Sequence, residues 1–403
     1  MIAIMMAAAS GVTMAMGMLN FGLFIKPMGD ELGITRAAFG WAQSLRQLSS
    51  AATGPFYGWA VDRYGSRWLL ALAVLASACV LVVLSRIDDE RGMLICFLLL
   101  GLTGLGAPGA LLTSVPVLKW FEHKRGKAVA VMSLGVPIGA LVFLPLTQYL
   151  IDSVGWRNTW VVLGVMGAVL IVPACVVLVR RQPEDMGLHP DGGAPGDAAG
   201  IIYTRNWTLS ETLRTPEFWW LTVVFGLVTL SISSVGLHRM AAFMDRGLDP
   251  MLIAWATALD AVLAGLATFL MGMASGTIAS RYLGAVGFMC LSLSVVLTIF
   301  SDTTLTMFAA MGLFGFGIGG MMFLQNIIWA EYFGRVHLGK IRGVVMPITL
   351  VLGAAGAPIA GYVHDGTGTY DPVWWVGAVL MVVGAVIVIM IKPPTAPVEQ
   401  RVG

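Results

Sequence analysis

The feature that most restricts this chain is a succession of apolar segments, each near the ~20 residues that an α-helix needs to cross the hydrocarbon core of a bilayer. They lie at 2–24, 37–61, 68–85, 92–120, 128–151, 159–179, 217–240, 251–274, 285–300, 305–330, 344–363 and 373–391. A transmembrane barrel would instead alternate apolar and polar residues over segments of about ten. Composition agrees, because 58% hydrophobic and only 11% charged residues leave too little charge to cover a soluble globule. The reading is an all-α integral membrane protein with twelve transmembrane helices. Its first run lacks a basic leading region and continues too long for a signal peptide. It therefore reads as a first spanning helix whose start is truncated or unusually short.

The run breaks at 180–215, where HPDGGAPGDAAG is too polar and too rich in Pro and Gly to bury. This divides the chain into 1–179, a linker at 180–215, a second unit at 216–391 and a tail at 392–403. Within the linker, Thr208 and Glu211 have capping-box spacing and Thr215-Pro216 is a helix start, so a short surface helix is expected before the seventh span. Lysines and arginines favour one set of loops and ends, sixteen against seven, the poorer set being Lys26, Arg36, Arg86, Arg91, Arg157, Arg239 and Arg246. The richer set belongs in the cytoplasm, and with it the linker and both termini. Trp41, Trp68, Trp156, Trp219, Trp255 and Trp374 fall near span ends and read as interfacial anchors.

The two units are related. At an offset of 214, Gly33, Trp41, Ala42, Gly58, Ser66 and Arg67 correspond to Gly247, Trp255, Ala256, Gly272, Ser280 and Arg281. Gly101 and Gly106 likewise correspond to Gly315 and Gly320, and one residue less maps Pro145 and Asp152 onto Pro358 and Asp365. Two pseudo-symmetric six-helix bundles around a central site form a transporter architecture, since rocking one against the other exposes the site to each side in turn.

The turn Gly58-Trp-Ala-Val-Asp62-Arg63-Tyr-Gly65-Ser-Arg67 resembles the G-x-x-x-D-R-x-G-x-R signature of the major facilitator superfamily, and the resemblance extends over nearly the whole chain. It implies the major facilitator fold and a cytoplasmic gate at Gly58, Asp62, Arg63, Gly65 and Arg67. The echo of the turn keeps Arg281 but carries Gly276 where Asp62 stands. Two further stretches are similar to the monocarboxylate and oxalate/formate branch. One runs from Phe24 through Lys26, Pro27 and Glu31 to Arg36, and the other from Trp120-Phe121 through Gly135 and Gly139 to Gly155-Trp156-Arg157. The branch implies an arginine on the eighth helix and, in oxalate exchangers, a lysine on the eleventh. This chain has Thr268, Gly272 and Thr349 in those registers.

Charge near mid-membrane is expensive, at least ~2.5–3.5 kcal/mol on insertion scales, and two residues stand out. Arg46 in the second span and Asp260 in the eighth occupy the same position of the repeat with opposite charges. Arg46 is the expected anion-binding residue, by its guanidinium fork, with Asp260 tuning it or taking up a coupling proton. The alternatives are a structural ion pair or separate pairing with polar neighbours such as Gln43. Asn20, Gln325 and Asn326, on spans that line the cavity in the resembled family, and Gln43 beside Arg46 are further candidate substrate-binding residues. His238 is a candidate proton carrier, although its place at a span end also suits an interfacial, solvent-facing side chain. No phosphate-binding glycine loop and no metal-ligand cluster is present, so neither an enzyme nor an ATP-driven pump is expected, and no cofactor. The expected partners are a small anionic solute and the lipid bilayer, not nucleic acid, with a monomer as the working unit in a bacterial inner (plasma) membrane. The sequence favours secondary transport of a small carboxylate, with proton coupling through Asp260. Efflux of amphipathic compounds and a non-transporting membrane sensor are the alternatives.

Overall fold

A computed structural model gives the fold and describes residues 2–14, 19–103, 120, 131–132, 134–179, 207–334 and 337–394. Among these, all regular structure is helical: α1 (Ile2–Met14), α2 (Phe21–Leu32), α3 (Arg36–Tyr64), α4 (Ser66–Leu84), α5 (Glu90–Leu102), α6 (Gly135–Leu178), α7 (Leu209–Thr212), α8 (Pro216–Asp245), α9 (Pro250–Ala274), α10 (Ser280–Ile299), α11 (Thr304–Phe333), α12 (Leu338–Thr367) and α13 (Asp371–Met390). Eight of them are long and apolar enough to cross a bilayer. The fourth predicted span beyond Thr103, and most of the approach to the fifth, lie outside the described residues.

The 44 residues of α6 would extend about 66 Å as one rod, twice the ~30 Å hydrocarbon core. Gly155 divides it, adopting φ 79° and ψ 163°, a backbone conformation open to glycine and costly for other residues. The two arms correspond to the fifth and sixth predicted spans. Gly65 joins α3 to α4 with nearly the same geometry, φ 77° and ψ 168°.

Several helices outrun their apolar segments. The first predicted span was bounded at Phe24, but α2 continues to Leu32 with Pro27 inside it. Likewise α8 passes Met240 and ends at Asp245. Polar residues end an apolar run without ending a helix, since the backbone continues wherever its hydrogen bonds are met. The linker's predicted start signals are present: Thr208 and Glu211 form a reciprocal capping box on α7, and α8 begins at Pro216. Trp156 and Trp374, expected as interfacial anchors, are buried, whereas Trp41, Trp68, Trp219 and Trp255 are exposed.

Helix packing repeats between the halves. In the first, α1 packs on α6, α3 on α5 and α4 on α6; in the second, α8 packs on α12, α9 on α11 and α10 on α13. The match reaches single residues. A Cβ on Gly101 would collide with the carbonyl oxygen of Arg46, and a Cβ on Gly315 with that of Asp260. Each half has its own buried cluster, around Phe21, Phe39, Phe97 and Trp160 in one and Phe225, Phe288, Trp329 and Trp374 in the other. A third cluster joins the halves, with Leu23, Ala140 and Leu144 set among Met240, Ile253, Met307 and Met311.

Two stretches distant in sequence meet at one rim of the first half. The Trp156 indole donates to Glu31 at 2.6 Å, and Arg157 reaches Glu31 at 3.0 Å, Asp88 at 3.1 Å and the carbonyl oxygens of Ser85 and Ile87. Hydrogen bonds from Trp156 and then Arg157 hold the Glu31 carboxyl below the usual glutamate value. A depressed carboxyl stabilises the fold at neutral pH, and that contribution is lost as pH falls through the folded value. Replacing Glu31 by Gln is therefore expected to flatten the acid-side fall of Tm, measured on purified protein across a pH series. Gly315→Ala should lower Tm, the overpacking costing about 1–3 kcal/mol. Gly272→Ala, where nothing lies within 4 Å of the new Cβ, should leave Tm nearly unchanged.

Candidate functional site

The buried carboxylate found from sequence has a partner that sequence reasoning missed. Asp260 lies ten residues into α9, about 15 Å along the axis, and is 7% exposed. It forms an ion pair and hydrogen bond with Arg239 of α8, which is 4% exposed. Arg239 had been assigned to the rim, among the charges of the poorer set. Because α8 continues to Asp245, its Cα is about 9 Å inside the helix end. Its guanidinium stacks over Phe314 of α11 at 4.2 Å, a face attractive to a cation. Nε and Nη1 of Arg239 have no hydrogen-bond partner. A mid-membrane acid requires a counter-charge, and that requirement was the signal available for Arg239.

Arg46 lies elsewhere. It is 5% exposed and lines a cavity of about 40 Å³ together with Val12, Thr13, Ser77, Thr103 and Gly167. The described residues that line it all belong to first-half elements, and no ion pair joins Arg46 to Asp260. The repeat thus relates the two charges by position without bringing them together.

The other candidates are dispersed. Asn20 is buried where α1 gives way to α2 and donates to Thr147 Oγ1 at 3.1 Å. Gln43 is buried, with Oε1 unpartnered. Gln325 is half-buried, and Asn326 is exposed and accepts from Arg342 at 3.2 Å. His238 is wholly buried and not solvent-facing, as its place at a predicted span end had suggested. Its Nε2 lies 2.9 Å from the carbonyl oxygen of Ala357, an acceptor, so Nε2 carries the proton, and its ring stacks on Tyr370.

The halves interlock at the face where α2, α8 and α12 end. Asp245 pairs with Lys26 at 3.1 Å and Arg36 at 3.0 Å. Asp365 accepts from the backbone N–H groups of Arg36 and Ala37, so a second-half carboxylate caps a first-half helix. Deeper along the same contact, Trp41 donates to Tyr362 at 3.0 Å and Ser44 to the carbonyl oxygen of Ala354. At the opposite face, Arg63 stacks on Trp59 and Tyr64, Arg67 on Trp68 and Arg281 on Tyr282, all within their own halves. The surroundings of Gly58 and Asp62 lie outside the described residues, and Gly65 is the positive-φ turn between α3 and α4.

The sequence profile of the Major Facilitator Superfamily matches residues 5–244 and again 240–403. Over 350 residues the chain is 25% identical to monocarboxylate transporter 13 of Bos taurus, covering 82% of this chain and 78% of that one. It is 27% identical over 229 residues to the oxalate:formate antiporter of Oxalobacter formigenes, covering 57% and 51%. Among solved structures, a bacterial homologue of the lysosomal transporter Spinster in an inward-facing conformation superposes with a TM-score of 0.69 at 14% identity, over 96% of this chain and 94% of that one. The nucleoside transporter NupG does so with a TM-score of 0.73 at 12% identity, over 97% and 99%. Both halves of the sequence match the profile and the fold matches along the whole chain, so the protein belongs to the Major Facilitator Superfamily, resembling its monocarboxylate and oxalate/formate branch.

Proposed function

We propose that the protein is a secondary transporter of a small carboxylate that works by alternating access between its two halves, with Arg239 and Asp260 as the anion and proton site. The observation that carries this is the buried ion pair itself. A guanidinium with two unpartnered nitrogens beside a single carboxylate can exchange that carboxylate for another. Protonation of Asp260 frees Arg239 to bind a substrate carboxylate, so one proton and one anion enter together and net charge in the site is conserved. This moves the anion-binding role from Arg46 to Arg239. It also supplies a guanidinium where the eighth helix, with Thr268 and Gly272, has none. The names of the relatives support a carboxylate as the substrate class.

The distribution of lysine and arginine supports placing the Arg67 face and both termini in the cytoplasm. On that reading Asp245 and Asp365 tie the halves together at the external face, an inward-facing arrangement. External opening then requires the bonds from Asp245 to Lys26 and Arg36 to break. These are partly exposed pairs, each worth about 0–1 kcal/mol, small enough for a transporter to break in every cycle.

In proteoliposomes, Arg239→Gln is expected to lower carboxylate uptake per reconstituted protein by about 10–100-fold, the loss of one charge-assisted contact of ~1.5–3 kcal/mol, and to lower Tm as well, because Asp260 loses its counter-charge. Asp260→Asn should abolish acceleration by an inward proton gradient while carboxylate exchange persists. Normal carboxylate uptake in Arg239→Gln would overturn the assignment, and export of amphipathic dyes with no carboxylate flux would replace it with the efflux reading. Asp245→Asn should increase labelling, by a membrane-impermeant thiol reagent applied from outside, of a cysteine placed at Ser44. Unchanged labelling would rule out the external tie.

A further inference from the structure

The guanidinium of Arg46 presents an imbalance that Arg239 does not. Its Nε and Nη1 are buried and have no hydrogen-bond partner, and no carboxylate lies within ion-pair distance of it among the described residues. Among the described residues, the ion pairs within the first half, Arg157 with Glu31 and with Asp88, lie at the rim. The repeat explains the deficit. In the second half the charge at this position, Asp260, is balanced by Arg239, but the residue 214 positions before Arg239 is Ile25, which is apolar and buried. An unbalanced charge in a low-dielectric interior costs several kcal/mol, and the described residues of this half supply no carboxylate to offset it.

The cavity beside Arg46 determines the size of what can. Its volume of about 40 Å³ exceeds the ~10–15 Å³ that one water requires, yet it is far below the ~300–1,000 Å³ of sites for larger organic ligands. The hydroxyls on its wall have committed their hydrogens: Thr13 donates to the carbonyl oxygen of Ala9, Ser77 to Thr103, and Thr103 to the carbonyl oxygen of Leu100. The donors left over belong to Arg46. A small species with negative charge and no hydrogens to place satisfies both conditions.

We propose that this cavity is a structural binding site for one small monovalent anion of halide size, held by Arg46 inside the first half and separate from the transported solute. It rests on geometry independent of Arg239 and Asp260, so either assignment can fail alone. The test uses purified full-length protein melted in sodium chloride, sodium bromide or sodium sulfate at equal ionic strength, with the halide-minus-sulfate difference in Tm compared between wild type and variants so that screening and the stabilising effect of sulfate cancel. Wild type and Arg239→Gln should show a saturable halide-specific rise in Tm and Arg46→Gln none. Crystals soaked in bromide should give an anomalous peak beside the Arg46 guanidinium. An equal halide response in Arg46→Gln, or no bromide peak at Arg46, overturns the proposal. Should Arg46→Gln fail to fold, the bromide peak in wild-type crystals decides alone.

Discussion

Close backbone contact at glycines is the constraint on which this architecture depends. Helices in a bilayer gain little from burying apolar side chains against one another, because lipid is as apolar as leucine, and they associate through packing and interhelical hydrogen bonds. Here the contact is made at points where a Cβ would not fit: Gly11 against Gly135 and Gly139, Gly287 against Gly320, and, between the halves, Gly40 against Ala357 and Gly361 against Ala37. That proximity makes polar contacts possible across the interface. Ser44 can reach the carbonyl oxygen of Ala354 because α3 and α12 approach so closely at Gly40. The same device places Gly315 against the Asp260 backbone and Oδ1, while Arg239 pairs with Oδ2.

Much of this was legible in the sequence, because the duplicated pattern constrains two halves at once. Gly101 and Gly315 share the 214-residue offset with Arg46 and Asp260, and in space each glycine meets the backbone of its own charged residue. The linker's capping residues were legible because their chemistry is local. Less legible were contacts that depend on where a helix stops. Arg239 at the end of one apolar run and Lys26 just past another looked like rim charges, although the helices continue and carry one of them into the interior. His238 was misplaced for the same reason. Hydropathy reports the thickness of the apolar slab, whereas helix length is set by where backbone hydrogen bonds find other partners.

The two faces differ in what their charges do. At one, carboxylates of the second half hold cations and a helix N-terminus of the first, so the attachment is electrostatic and crosses the interface. At the other, the described arginines of the signature turn and its echo lie on aromatic rings of their own halves, which orients each side chain without joining the bundles. The proposed alternating access needs attachments that release, and exposed ion pairs release at little cost. The glycine-mediated contact between α3 and α12 includes Gly40 against Ala357, inward of them.

Divergence at one repeated position also places two different kinds of buried charge in the two halves. Among the described residues Asp260 is the single buried carboxylate, whereas its counterpart Arg46 retains its proton at any pH the cell meets. A guanidinium cannot switch, but it can hold a fixed charge around which a bundle is built. A carboxylate beside a guanidinium can switch, since protonating it changes the net charge of the pair and releases its partner. At this repeated position the first half therefore carries a charge that stays fixed and the second a charge that can change state, which is why the proposed proton coupling is assigned to Asp260.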